Sequence, residues 1–187
     1  GLVICGKASN NLPGGYATLE GGYGAHHGGN EDADNSGILK YVRLEYAGFP
    51  ILTDKEINSL TMGSVGSGTT ISHIQSSYGL DDAFEWFGGT VNCDHIIAYK
   101  NTDDDFDCDF GFRGNVQFAI SFRSSNLADP SSGSNSFEVD NDGSGSTNAP
   151  FTAPTFSNVS VFGPKQDSTT MIDANFKCAL HLRRSNK

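Results

Sequence analysis

The segment DDDFDCDFGF, residues 103–112, places Asp105, Asp107 and Asp109 at every second position with Phe106, Cys108 and Phe110 between them. On an extended strand that alternation sends the carboxylates to one face and the apolar groups to the other. Similar acids recur elsewhere in the chain. The run HIQSSYGLDDAFEWFGG, residues 73–89, overlays HIIAYKNTDDDFDCDFG, residues 95–111, at an offset of 22, so Glu85 meets Asp107. In SFEVDND, Phe137, Glu138, Val139 and Asp140 match Phe106, Asp107, Cys108 and Asp109. If matched residues stack, Glu85, Asp107 and Glu138 form an acidic column flanked by Asp109 and Asp140. Carboxylates about 4.8 Å apart raise one another's pKa. A hard cation such as Ca²⁺ relieves that repulsion with oxygen ligands. EVDNDGSG adds Asp142 and resembles the front of a calcium loop through Glu138, Asp140 and Asp142, although Ala149 stands where its closing Glu belongs. Calcium at Glu85, Asp107, Asp109, Glu138, Asp140 and Asp142 is therefore one expectation. A solvated acidic face is the other, with the pairs Asp81-Asp82 and Asp103-Asp104 acting as turn residues.

Other groups could carry chemistry. GAHHGGNEDADNSG puts His26 and His27 near Glu31, Asp32 and Asp34, a possible transition-metal loop, although neighbours on a strand point apart. His73 and His95, one period apart, read as columnar polar residues. Arg113 follows the aspartates and is expected to pair with the acid column. Glycoside cleavage would need two carboxylates beside a cleft, which Glu85, Asp107 and Glu138 could supply. Neither a GxSxG motif nor a nucleophile–base pairing is present, so the balance leans away from an enzyme. Tyr16, Tyr23, Phe49, Trp86, Phe87 and Phe151 could line a sugar-binding face, with Trp86 expected in the core instead.

These residues need a scaffold that repeats. Besides the 22-residue echo, LKYVRLEYAG matches ISHIQSSYG at an offset of 32, pairing Leu39 with Ile71, Val42 with Ile74 and Tyr46 with Tyr78. A further step of 22 pairs Ile96 with Phe118 and Ala98 with Ile120. Val159 and Val161 mark another strand, as do LVIC near residue 2 and Leu180 with Leu182. Short strands broken by Gly and Asp turns, with no useful helical stripe, predict an all-β solenoid. Its coils are of about 22 residues, stacked as a parallel β-helix over 1–187. Two glycine- and serine-rich stretches, about 8–37 and 124–155, read as loop excursions. The formal net charge of −10 argues against nucleic acid as a partner. No apolar run is long enough for a transmembrane segment. Cys5, Cys93, Cys108 and Cys178 lack metal-ribbon spacing and read equally as buried thiols or as disulfides.

The stretches INSLTMGSVGSGTTISHIQSSYGLDDAFEWFGGTVN, DDDFD and GFRGNVQF resemble a family of secreted right-handed parallel β-helix repeat proteins from Bacteroidetes and related bacteria. The resemblance extends over most of the chain. It implies a right-handed coil, in keeping with the hand of parallel crossovers, and a secreted, extracellular or cell-surface location. It implies no activity and no catalytic residue. Family members usually carry further coils on both sides, so exposed ends and self-association end to end into filaments are expected of a chain without them. The functional expectation is an extracellular structural or adhesive module. The alternative is a Ca²⁺-dependent carbohydrate-binding or polysaccharide-degrading protein.

Overall fold

A computed structural model describes residues 1–19, 24–49 and 56–184. Two parallel sheets make the body of a right-handed β-helix. The first holds the short strands β1 (Leu2–Cys5), β5 (Leu60–Gly63), β7 (Phe84–Phe87), β9 (Phe106–Asp109), β11 (Phe137–Val139) and β13 (Leu180–Leu182), stacked in that order. The second holds the longer strands β4 (Ile38–Glu45), β6 (Thr70–Ser77), β8 (Asn92–Tyr99), β10 (Asn115–Phe122) and β12 (Thr155–Phe162). The chain alternates between the sheets, so each lap lays one strand on each. Among the described residues only β2 (Tyr16–Thr18) and β3 (His26–Gly28) pair antiparallel, in the first excursion. The second excursion is not one loop, because β11 lies inside it.

Stacking aligns like with like. Phe84, Phe106 and Phe137 are vertical neighbours, and so are Trp86, Cys108 and Val139. Phe84 and Phe106 stack with centroids 5.9 Å apart, and Phe106 and Phe137 lie at 5.0 Å. The second sheet contributes Ile71, Ile74, Cys93, Ile96, Ala98, Val116 and Ala119 to the same core. Cys93 and Cys108 serve there as small apolar groups, and all four cysteines are free thiols. Trp86 is fully buried, as expected, and Phe87 is covered by Phe110 and His27. Tyr16 and Phe49 are exposed, whereas Tyr23 falls outside the described residues.

One expected register is wrong. Ile96 pairs with Ala119, not Phe118, and Ala98 pairs with Ser121, not Ile120. Four residues join β7 to β8, but five join β9 to β10. The extra residue moves every following side chain by one, which puts Phe118 and Ile120 on the outer face.

Strict alternation also fails in the second sheet, for a definite reason. Tyr41, His73, His95, Phe118 and Asn158 each occupy the fourth position of their strand, and each has φ between 53° and 58°. This left-handed kink turns two successive residues outward before the strand resumes. Positions two, five and seven therefore face the core, as with Cys93, Ile96 and Ala98 on β8. Four of them, Tyr41, His73, His95 and Phe118, become an outward column of rings.

Candidate functional site

The acid column lies on the side of the first sheet facing away from the apolar core. Thr61, Glu85, Asp107, Glu138 and His181 are in register on β5, β7, β9, β11 and β13. Glu85 is only 6% exposed, and Asp107 and Glu138 are half-buried, so the column is partly covered rather than a fully solvated face.

Beside it runs a second row, at the turn that enters each short strand. Asp82 accepts the backbone N–H of Asp104 at 2.9 Å. Asp104 in turn accepts the N–H of Asn135, and Asn135 accepts the N–H of Cys178 at 3.2 Å. Each side chain thus ties its turn to the equivalent turn one lap on. The acids sit at turns as expected, but they bind across one lap rather than capping nearby amides of their own turn.

The two rows converge. One carboxylate oxygen from each of Asp82, Glu85 and Asp107 lies within 4.8 Å of the others, and the same holds for Asp104, Asp107 and Glu138. Asp107 belongs to both trios. Its Oδ1 is buried and has no hydrogen-bond partner. Asn58 donates to Glu85, and Asn135 donates to Glu138 at 3.2 Å. Burial, followed by repulsion from Asp109, Glu85 and Asp104, pushes Asp107 well above the usual carboxylate range. Burial and the neighbouring Asp103 and Asp107 do the same to Asp82. Burial raises Asp104 to about 6, and burial with Asp140 raises Asp109 to about 7. An all-oxygen, electron-rich set of this kind suits a hard divalent cation.

The remaining predicted ligands do different work. Asp140 is buried and pairs with Arg183 at 2.9 Å and Arg184 at 3.1 Å. Asp142 folds onto its own loop, accepting from Ser144 and Ser146; burial works against it, yet these bonds hold its carboxyl at about 2. EVDNDGSG is therefore a self-capped turn next to an arginine pair. Glu138 also contacts Arg183, and His181 at 3.4 Å.

Arg113 does not reach the column. It donates to Ser9 at 2.9 Å, to Asp32 at 3.1 Å and to the Gly111 carbonyl at 3.0 Å, which anchors the first excursion to the coil. His26 and His27 diverge. His27 is buried against Ser64 at 2.9 Å and desolvation lowers it to about 4, whereas exposed His26 meets Thr18 at 3.0 Å. Sequence reasoning also missed the pair Arg123–Asp105, 3.0 Å apart and almost fully buried inside the coil. No local spacing announces it.

A groove lies on the other sheet. It encloses about 590 Å³ and is lined by Tyr41, Arg43, His73, Gln75, His95, Phe118 and their neighbours, with no carboxylate in its lining.

The family model for a pectate-lyase-like β-helix domain matches residues 1–187, and the chain belongs to that family. No curated protein and no solved structure matches it.

Proposed function

We propose that this chain is a structural β-helix module of the cell exterior, completed by Ca²⁺ at the two carboxylate trios that meet on Asp107. One observation supports this above the rest: Oδ1 of Asp107 is buried without a hydrogen-bond partner among like-charged neighbours. A buried, unpaired carboxylate costs several kcal/mol unless it is protonated or bound to a cation. Ca²⁺ takes six to eight oxygens at about 2.3–2.6 Å. Asp82, Glu85, Asp104, Asp107 and Glu138 would provide the protein's share and water the rest. The location outside the cell follows the family resemblance.

Titration calorimetry of chelator-treated protein tests the reading. Ca²⁺ should bind to the unaltered chain and fail to bind to Asp107→Asn. Equal binding by both would sink it.

A second reading, binding of a polysaccharide, is favoured by the groove on the longer sheet. Arg43, Gln75, Asn158 and Ser160 line it with hydrogen-bonding groups beside the exposed rings of Tyr41 and Phe118. The acid column lies on the other sheet, so this reading is of binding alone. Affinity electrophoresis in neutral and acidic polysaccharide gels checks it; unretarded migration in every gel would count against it.

A further inference from the structure

A further row of rings runs along the far end of the longer sheet. Tyr46 follows β4 directly and Tyr78 follows β6, and the row continues through Tyr99, Phe122 and Phe162 at the ends of β8, β10 and β12. Successive centroids lie 5.4 to 5.7 Å apart. The backbone sets the first pair. Tyr46 donates its N–H to the Ser77 carbonyl at 3.0 Å, and both Tyr46 and Tyr78 have φ of 55°. The two side chains therefore leave successive laps in the same direction. Their rings stack at 5.5 Å and 11°, whereas Tyr78 and Tyr99, 5.6 Å apart, cross at 86°. Tyr46 is 73% exposed and Tyr78 is half-buried, so a solvent-borne oxidant reaches the pair.

We propose that Tyr46 and Tyr78 are a site of oxidative cross-linking, joined as dityrosine when the protein meets hydrogen peroxide and a peroxidase-type one-electron oxidant. Each phenol gives up one electron and one proton and becomes a phenoxyl radical. Those two electrons and two protons reduce one hydrogen peroxide to two waters. The unpaired electron of a phenoxyl spreads to the ring carbons next to the oxygen-bearing one, in an orbital perpendicular to the ring. Near-parallel rings point these orbitals at one another. The centroid separation is that of offset stacking, which brings the facing ring edges together. The radicals pair to form one carbon–carbon bond. The hydrogen on each joined carbon then passes through water to its phenol oxygen, which restores both aromatic rings. Tyr99 is the nearest competitor, but its plane stands across that of Tyr78. Phe122 and Phe162, further along the row, have no hydroxyl to oxidise. The new bond ties the lap of β4 to the lap of β6. It joins positions 32 residues apart, and a covalent tie across such a stretch restricts the unfolded chain. The pair and the acid column lie on different sheets, so either assignment can fail alone.

The test treats the full chain, dilute and with its exposed Cys178 alkylated, with a haem peroxidase and limiting hydrogen peroxide. The blue fluorescence of dityrosine should appear in the monomer band. Mass spectrometry of a digest should show the Tyr46 and Tyr78 peptides joined, with the loss of two hydrogens. The linked protein should unfold at a higher denaturant concentration than the untreated one. Tyr46→Phe and Tyr78→Phe keep both rings, so their circular dichroism should be unaltered, and each should abolish the fluorescence of the monomer. Tyr99→Phe should leave it in place. The proposal is overturned if the monomer gains no dityrosine, if the digest joins Tyr78 to Tyr99 instead, or if the fluorescence survives in Tyr46→Phe.

Discussion

Two outward columns on this coil arise from the same stacking rule and meet opposite fates. On the longer sheet, Tyr41, His73, His95 and Phe118 lie ring on ring, with neighbouring centroids 4.4 to 4.7 Å apart. On the shorter sheet, Glu85, Asp107 and Glu138 lie carboxylate on carboxylate. A parallel coil repeats whatever the sequence supplies at roughly strand spacing. Repetition is favourable for rings, whose stacking contributes about 0.5–1.5 kcal/mol per pair. For buried charges of one sign it is unfavourable, and the energy must be recovered by protons, arginines or a bound ion. At its upper end the acid column receives Arg183 and His181 on Glu138, and Arg183 and Arg184 on Asp140. Asp107, in the middle, keeps a carboxylate oxygen without a hydrogen bond. The ring column is thus complete as it stands, while the acid column calls for a partner.

The most severe way to break the comparison is to remove the core on which both columns stand. Phe106→Ala deletes a fully buried ring between Phe84 and Phe137. It should destabilise the protein by about 3–5 kcal/mol in chemical denaturation, and the ring stacking and the calcium uptake should be lost together.

Asp107→Asn breaks one column alone. At a Ca²⁺ concentration 100-fold above its dissociation constant, the ion should stabilise the unaltered protein by about 2.7 kcal/mol. The variant should lose that gain. Without calcium at neutral pH it should be as stable as the parent or more so, because a like charge has gone.

The pH dependence sharpens the contrast. Asp103 and Asp109 are raised to about 7, chiefly by burial, and Asp104, Asp105 and Asp140 to about 6, again chiefly by burial. Their folded values lie above the unfolded carboxylate value near 4. The stability they confer is therefore complete below about pH 4 and is lost as pH rises through 6 to 7. His27, lowered to about 4, acts in reverse: the stability of its neutral form is lost as pH falls from 6.5 towards 4. Above pH 6.5 only the carboxylates remain in play. Chelated protein should then melt at a lower temperature at pH 8 than at pH 6.5, and saturating Ca²⁺ should flatten the dependence. A chelated protein that grows more stable over that interval would contradict the carboxylate account.

The smallest effect should come from the ring column. Tyr41 is 77% exposed and stacks on His73. Tyr41→Ala should cost about 0.5–1.5 kcal/mol in denaturant titration and leave calcium binding untouched.

Much of this architecture was legible in the residues. The offset of 22 aligned Phe84 with Phe106 and Glu85 with Asp107, because that lap has neither insertion nor deletion and its turns carry matching Asp pairs. The chain resisted reading where the period changes. Phe106 to Phe137 spans 31 residues and was still found through its alternating Phe, Glu and Val. The single added residue before β10 went unnoticed, since an apolar pattern shifted by one still looks apolar. The ring column was hidden for a related reason. Period-two alternation assumes extended backbone throughout, and the left-handed kink at the fourth position breaks it. Ionic pairing was the least legible part. Arg113 follows the aspartates in sequence yet turns to Asp32, whereas Arg183 and Arg184 reach Asp140 from the adjoining lap, 43 and 44 residues along the chain. Only stacking brings such residues together, and it does so without regard to their distance along the chain.

The decisive measurement is a crystal structure of the protein grown with Ca²⁺ and recorded with anomalous data. It should show an ion about 2.3–2.6 Å from an Asp107 oxygen, shared with Glu85 or Glu138. A map without such a peak, in which Asp107 instead meets a neighbouring carboxyl group through a shared hydrogen, would mean that protons alone stabilise the column.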